Sequence, residues 1–163
     1  MFRSASRLFV PNNKLKDFKA IWSYVMNYWI FITNPENWGV TKEKKVVGYA
    51  ERYKNALSRV HKGDKCLIYV TKESIVNGEY EIGSDVYDDE KSIFHAAPTA
   101  PTEVFPLRLK LKLVTSSPRQ TDFKPLIPKL SFIKNKQKWA GTFQGNACLS
   151  IPEQDYRIIV SSF

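Results

Sequence analysis

Polar and aromatic side chains are concentrated within residues 28–39, where a predicted strand meets a predicted helix. The first half of this segment alternates with a period of two, which is typical of a strand. In the second half, Asn34 is a candidate helix cap and a proline follows at the first helical position. Thr33, Asn37 and Trp38 lie at the same junction. A hydroxyl, two amides, an indole and free backbone N–H groups could hold a flat polar ligand such as a nucleobase, although an ordinary strand-to-helix turn would use the same residues.

Two further segments combine cations with aromatic rings, and they are residues 52–55 (Arg-Tyr-Lys-Asn) and residues 133–139 (Ile-Lys-Asn-Lys-Gln-Lys-Trp). Basic groups bind phosphates, and an aromatic face stacks on a base with about 1–3 kcal/mol. The alternative is that Tyr53 and Trp139 belong to the core while the lysines form a solvated surface. Composition alone favours this alternative.

The residues that other kinds of chemistry require are few. His61, His95, Cys66 and Cys148 show no spacing typical of a zinc site, and the sequence has no phosphate-binding glycine motif or nucleophile elbow. We therefore expect no metal, no cofactor and no nucleotide-hydrolysing machinery. Two distant cysteines outside any CxxC pair indicate a reducing, cytoplasmic location, with Cys66 as a small buried residue of a strand.

Length and charge restrict the class of protein. The 163 residues fit one domain, with a hydrophobic fraction of 43% and a net charge of +9. A basic chain favours a polyanionic partner without proving one. No apolar run approaches the roughly 20 residues that cross a bilayer, so we expect no membrane partner.

The first 26 residues read as an extension with three interpretations. Residues 1–25 hold five basic residues and one acid, Asp17, which would suit a mitochondrial presequence. Alternatively, Met26 is the true start and the upstream residues come from an over-extended gene call. A third interpretation is an amphipathic helix over residues 15–25, because apolar residues recur there every three or four positions. We favour the second, because the strong domain signal begins directly after Met26.

Patterning in the remainder predicts an α+β domain with a small, strongly bent sheet that can close into a barrel. In residues 105–114, leucines alternate with Arg108 and two lysines, which indicates a half-buried strand with a cationic outer face. Asn77-Gly78 is a strong turn signal. The other predicted elements are strands at 28–33, 65–71 and 79–87, helices at 35–45 (bent near Gly39), 50–60 and 152–160, a helical turn from 85–89 to near Phe94, and an irregular turn at 124–132.

An ordered set of segments resembles EVE-domain proteins, also called UPF0310. The segments are YWIFITNPENW (28–38), VGYAERYKN (47–55), GDK (63–65), FP (105–106), FIKNKQKW (132–139) and IPEQDY (151–156). The resemblance covers residues 27–163, nearly all of the chain after the extension, in the right order. It assigns these residues to one EVE domain.

The resemblance implies a PUA-like fold, a compact and strongly bent β-barrel of about five or six strands flanked by short helices. EVE domains are similar to the YTH domain, which flips N6-methyladenine of RNA into an aromatic cage. The family is regarded as readers of modified bases in DNA or RNA, often modified cytosine. The implied protein is a nucleic-acid-binding module and not an enzyme.

The resemblance also implies site residues. Thr33 and Asn34 match a polar pair at the pocket floor, and Gly48 follows a position that is commonly a cage tryptophan. Here that position is Val47, so stacking would fall to Trp38, Tyr49 or Tyr69. The predicted base pocket comprises Trp29, Thr33, Asn34, Asn37, Trp38, Val47, Gly48, Tyr49 and Tyr69, and the predicted phosphate contacts are Arg52, Lys54, Asn55, Lys134, Lys136 and Lys138.

Two rival hypotheses remain open at this point. A small enzyme acting on nucleic acid or a small molecule would need a general base, for which His61 and Glu36 are the nearby candidates. A protein-interaction adaptor with a vestigial pocket would have Trp38 and Tyr69 in a filled core. The leading hypothesis is a module that receives a flipped, modified cytosine or adenine.

Overall fold

The computed structural model describes residues 25–114 and 120–163, which form one curled sheet with short helices around it. Its strands are β1 (Tyr28–Thr33), β2 (Val46–Tyr49), β3 (Lys65–Val70), β4 (Ile75–Ile82), β5 (Tyr87–Asp88), β6 (Leu107–Leu113), β7 (Gln120–Asp122) and β8 (Cys148–Ile151). Its helices are α1 (Pro35–Lys44), α2 (Lys54–Leu57) and α3 (Glu153–Val160), with 3-10 helices at Glu51–Tyr53, Lys124–Lys129 and Trp139–Thr142. The predictions for residues 1–24 lie outside the described residues.

The sheet follows the strand order β2-β6-β4-β3-β1-β8, with β5 attached to β6 and β7 attached to β4. β1 and β3 pair in parallel, whereas the other pairs are antiparallel. This half-barrel confirms the predicted strongly bent sheet with short helices. The six strands of the main path match the predicted number, and the short β5 and β7 are additional.

Two cores lie on opposite faces of this sheet. In β1, Trp29 and Phe31 belong to an inner core that draws residues from six strands, whereas Ile30 and Ile32 belong to an outer core under α3 and the 3-10 helix Lys124–Lys129. The predicted alternation in β1 is therefore correct. Because both faces are covered, β1 and β3 are nearly continuous apolar runs.

The junction between β1 and α1 forms as predicted. Asn34 has an extended backbone (φ −102°, ψ 169°), and its side chain accepts a hydrogen bond from the Asn37 backbone N–H at 2.9 Å. Pro35 begins the helix. The bend expected near Gly39 is absent within α1, which continues to Lys44 and ends where Lys45 adopts φ 54°.

The turn predicted at Asn77-Gly78 is wrong, because β4 runs through both residues. The β3–β4 register shifts beside them, and Gly78 has φ 54°. A glycine with positive φ serves a bulge as well as a turn, so the dipeptide signal is ambiguous. The chain instead reverses just before β4, where Lys72 (φ 66°) and Ser74 (φ 52°) occupy left-handed conformations.

Two predicted helical segments also differ from the structure. The helix expected at 50–60 is reduced to the 3-10 helix Glu51–Tyr53 and the single turn α2. The helical turn expected from residues 85–89 to near Phe94 does not form, and β5 lies in its opening segment, where Tyr87 pairs with Arg108 of β6. Pairing with a neighbouring strand has overridden the local acidic signal.

Arg108 departs from the predicted cationic outer face of β6. Lys110 and Lys112 are exposed, but Arg108 is only 3% exposed. Its Nε donates to the Phe105 carbonyl at 3.1 Å, and its guanidinium also donates to the Lys91 carbonyl, lies 3.6 Å from Asp89 and covers the Phe94 ring. These partners compensate for burial of the charge.

Candidate binding cleft

A cleft of about 220 Å³ opens where β1 ends, at the mouth of the curled sheet. This volume is below the about 300–1,000 Å³ typical of drug-sized ligands, so it suits a single small ring system. The cleft is lined by Ile32, Thr33, Asn34, Asn37, Gly48, Tyr49, Arg52, Tyr53, Thr71, Phe105 and Asn146.

Thr33 places a hydroxyl at the floor because it ends the inner-core face of β1. Trp29 and Phe31 precede it on that face, with a period of two. The neighbouring backbone is already paired, since Thr71 N–H donates to the Thr33 carbonyl at 2.8 Å and Ile32 N–H donates to the Ala147 carbonyl at 2.9 Å. The backbone of the floor is therefore hydrogen-bonded to the segments on both sides of it.

The two predicted asparagines have different roles. Asn37 is 8% exposed, and its amide holds the His95 backbone through Oδ1, which accepts from N–H at 2.7 Å, and Nδ2, which donates to the carbonyl at 3.1 Å. Asn34 uses Oδ1 for the cap, so its Nδ2 is the donor it can offer to a ligand. Asn37 thus holds the wall in place, and Asn34 is the candidate residue for a hydrogen bond to the base edge.

Tyr49 forms a fixed aromatic wall. Its hydroxyl donates to the Ile32 carbonyl at 2.9 Å, and its ring lies 6.0 Å from the Phe31 ring at an angle of 30°. Burial raises the pKa of the Tyr49 phenol well above its usual value, so this donor stays protonated. The Tyr53 ring meets Tyr49 edge-on at 6.1 Å and extends the wall to the rim.

Gly48 shapes the opposite side through a close approach. A Cβ at this position would lie 2.2 Å from the Phe94 ring, so only glycine lets Phe94 pack against β2. The Phe94 and Phe105 rings lie 6.2 Å apart, and Phe105 lines the cleft. Gly48 therefore positions Phe105 indirectly.

Arg52 supplies positive charge at the rim. Its guanidinium lies 4.7 Å from the centre of the Tyr53 ring and forms an ion pair with Glu103. The Arg52 side chain is 60% exposed, so a phosphate can still approach it.

Several residues predicted for the base pocket lie elsewhere. Trp29 and Trp38 are 3% and 7% exposed in the inner core, and the Trp29 indole donates to Asp64 at 2.9 Å. Val47 is also in the inner core, because it shares the inward face of β2 with Tyr49. Tyr69 lies on the outer face, stacked 4.1 Å from Phe143. Strand pairing determined the orientations of Trp29, Val47 and Tyr69, and packing of α1 determined that of Trp38.

Of the predicted phosphate contacts, Arg52 lines the cleft and the others do not. Lys54 is exposed and pairs with Glu51 at 3.4 Å, and Asn55 is exposed beside it. Lys136 donates to the Ile127 and Leu130 carbonyls and so caps the end of the 3-10 helix Lys124–Lys129. Lys134 and Lys138 are exposed on the segment that follows this helix.

Five cleft residues were not predicted as site residues: Ile32, Tyr53, Thr71, Phe105 and Asn146. Tyr53 and Phe105 lie in segments that carried the family resemblance, so the signal existed for them. Thr71 comes to the cleft through the parallel pairing of β1 with β3, and Asn146 precedes β8. Neither placement follows from a local pattern.

The lining of the cleft offers donors, rings and one cation. The general bases considered above lie outside it, since His61 is exposed in a turn where its N–H donates to Asp64, and Glu36 is exposed on α1. Within residues 25–114 and 120–163, no group of three or more His, Cys, Asp or Glu residues could hold a metal. No helix of these ranges is long and apolar enough to cross a membrane.

A curled half-barrel sheet with a few short helices is the architecture of the PUA-like YTH and EVE domains. The EVE domain family model matches residues 27–162, and the chain belongs to this family. A UPF0310 protein of Pyrococcus abyssi is 44% identical over 144 residues, covering 83% of this chain and 99% of that protein. The resemblance drawn from the sequence is confirmed.

Solved structures share the fold at low identity. Human THYN1 in complex with DNA containing 5-methylcytosine has a TM-score of 0.50 and 14% identity, over 83% of this chain and 96% of that one. The YTH domain of Zygosaccharomyces rouxii MRB1, in complex with N6-methyladenosine RNA, has a TM-score of 0.50 and 14% identity, over 96% and 88%. No catalytic family appears among these matches.

Proposed function

We propose that this protein binds DNA or RNA and receives one flipped, modified base in the cleft at the end of β1. The observation that carries the proposal is the convergence of Thr33, Asn34, Tyr49 and Tyr53 on one open, base-sized space. Both solved relatives described above are bound to nucleic acid with a methylated base, which supports the same class of ligand here.

The residues that line the cleft can offset the free-energy cost of flipping a base. Extruding a base costs a few kcal/mol, which the site must offset through stacking and hydrogen bonds to the base edge. The Tyr53 and Phe105 rings offer contact surface, while Thr33 Oγ1 and Asn34 Nδ2 offer polar atoms for the edge. A methyl group against an apolar wall discriminates by about 10–200-fold, which sets the expected selectivity.

Charge supports a polyanionic ligand. The chain carries a net charge of +9, and Arg52 stands at the rim of the cleft. Each phosphate contact on a single strand gives a slope of about −0.7 in log affinity against log salt. A single cation at the cleft implies that other cations hold the adjoining nucleotides.

The open cleft is evidence against an adaptor with a vestigial pocket. Trp38 and Tyr69 are indeed buried, as that hypothesis expected. The space is instead formed by Tyr53 and Phe105, which remain partly exposed. The general bases needed by the enzyme hypothesis do not line it.

Titration of fluorescent oligonucleotides tests the proposal. The panel has one central base, either cytosine, 5-methylcytosine, adenine or N6-methyladenine, in otherwise identical DNA and RNA strands. We expect one modified form to bind about 10–200-fold more tightly than its unmodified partner. Equal affinity for all members of the panel contradicts the proposal.

Asn34→Asp is the most specific variant, because aspartate keeps the helix cap and removes the Nδ2 donor. The matched control is Asn135→Asp, because Asn135 Oδ1 also accepts from the backbone N–H three residues on, at 2.9 Å, and the residue is exposed outside the cleft. We expect Asn34→Asp to abolish selectivity and Asn135→Asp to retain it. Selectivity that survives Asn34→Asp would remove Asn34 from the reading role.

A further inference from the structure

A second hollow, of about 420 Å³, lies on the outer face of the sheet next to the cleft. Its lining includes Tyr69, Lys72, Lys124, Trp139 and Phe143, and we call it the outer hollow. Lys72 and Lys124 are the charged residues of this lining among the described residues, so the outer hollow is positively charged.

The rings of the outer hollow leave one aromatic surface accessible. Tyr69 and Phe143 are 4% exposed each and stack on one another at 4.1 Å and 12°. Trp139 stands perpendicular to Tyr69, at 6.4 Å and 89°, and is half-buried. Packing against Phe123 at 6.0 Å holds the indole in place, so its free surface is pre-organised for stacking.

The cleft and the outer hollow share a rim. Thr71 lines both, and its backbone N–H donates to the carbonyl of Thr33 on the cleft floor at 2.8 Å. The end of the sheet therefore separates two adjacent cavities, one facing the inner core and one facing the outer core. A single strand that crosses this end would place consecutive nucleotides on either side of Thr71.

We propose that the outer hollow binds a nucleotide directly next to the flipped base, with its base stacked on Trp139 and its phosphate beside Lys72 and Lys124. This inference rests on the proposed function and adds the path of the strand. It assigns a stacking role to Trp139, and it moves the phosphate contacts from the segment of Lys134 and Lys138 to Lys72 and Lys124.

Abasic substitution in the ligand tests the inference without altering the protein. Single-stranded oligonucleotides carry the preferred modified base, with an abasic residue directly on its 5′ side, directly on its 3′ side, or four positions away as the control. We expect one adjacent substitution to weaken binding about 5–150-fold, the range for stacking of one base. The distant substitution should leave the affinity unchanged.

Protein variants test the same stacking contact by removing Trp139 rather than the base. Trp139→Ala should weaken binding of the intact strand by the same factor and should make the adjacent abasic residue harmless, because both changes remove one interaction. Trp139→Phe should retain part of the affinity and shows whether the fold survives. Lys124→Gln should reduce the salt slope by about 0.7, whereas Lys129→Gln, at the other end of the same 3-10 helix and outside the hollow, should not.

The possible failures are distinguishable. If the protein selects the modified base but abasic residues on both sides leave the affinity unchanged, the outer hollow is not a nucleotide site and the proposed function stands. If the wild-type protein does not select any modified base, the proposed function fails and this inference fails with it. Coupling between Trp139→Ala and the abasic residue supports both.

Discussion

The side-chain amide of Asn37 fastens the backbone of His95, which is 58 residues away in the sequence, through two hydrogen bonds of 2.7 and 3.1 Å. This pair attaches the segment between β5 and β6 to the first turn of α1. Because that segment carries Phe94 and leads to Phe105, the pair also positions one wall of the cleft. Asn37 was predicted as a pocket residue; it lines the cleft and also holds this wall in place.

Replacing Asn37 by alanine should therefore affect both stability and the cleft. Loss of the two bonds leaves the partly buried backbone groups of His95 unpaired, at about 1–3 kcal/mol for each unsatisfied group. We expect the free energy of unfolding in urea to fall by about 2–4 kcal/mol. Asn37→Asp keeps the acceptor, so its free energy of unfolding should fall by less. Equal losses of stability in both variants would contradict this account.

A substitution at Trp29 tests whether this residue belongs to the inner core, as the structure places it, or to the base pocket, as the sequence predicted. Its indole donates to Asp64 at 2.9 Å, and Asp64 also accepts from the backbone N–H groups of Asn27 and His61. Trp29→Phe should destabilise the fold by about 1–3 kcal/mol because a buried carboxylate loses a donor. Selectivity for the modified base, measured well below the unfolding transition, should not change. A loss of selectivity in a folded Trp29→Phe protein would return Trp29 to the site.

Gly48 should tolerate no side chain while Phe94 is present. A Cβ would lie 2.2 Å from the ring, so Gly48→Ala should cost about 1–3 kcal/mol through overpacking. The double variant Gly48→Ala/Phe94→Leu should recover part of that stability, because leucine relieves the contact. Thermal unfolding of the two single variants and the double variant measures the coupling, and strictly additive losses would contradict it.

The two cysteines predict a loss of stability at alkaline pH. Burial raises the pKa of Cys148 to about 12 and that of Cys66 well above its usual range. A thiol whose pKa is raised in the folded state stabilises the fold fully below the unfolded pKa of about 8.5, and this contribution is lost as pH rises towards the folded pKa. Above the unfolded pKa, each thiol should lower the free energy of unfolding by about 1.4 kcal/mol per pH unit.

Urea unfolding between pH 7 and 10.5 under reducing conditions measures this slope. Cys148→Ala lowers stability at pH 7 through the lost packing, but it should reduce the alkaline slope by one thiol. An exposed-lysine variant such as Lys112→Gln is the control and should leave the slope unchanged. A wild-type stability that stays constant across this range would be contrary to the assigned burial.

Local signals predicted part of the fold and part of the cleft. The strand β1, the Asn34 cap and Pro35 depend on neighbouring residues alone, and they form as expected. Thr33 and Asn34 come to the cleft because they continue that strand into the helix. The turn predicted at Asn77-Gly78 was wrong, because a glycine with positive φ occurs in strand bulges as well as in turns.

The aromatic walls could not be predicted from local pattern. Whether Tyr69 faces the cleft depends on long-range strand pairing, because the parallel register places it beside Ile32 on the outer face. Whether Trp38 or Tyr53 faces it depends on how their helices pack against the sheet. Phe105 reaches the cleft through Phe94 and Gly48, which are distant in sequence. The buried Arg108 likewise depends on carbonyls supplied by residues 91 and 105.

The ratio of dissociation constants for an unmodified and a modified strand tests the central claim most directly, measured in the wild-type protein and in Thr33→Val. Valine keeps the β-branched shape of threonine and removes the hydroxyl on the cleft floor. The account predicts a ratio of about 10–200 for one modified base in the wild type and a clear reduction in Thr33→Val, with unfolding free energies that differ little. A ratio near one for the wild type, or a ratio unaffected by Thr33→Val and Asn34→Asp, would contradict it.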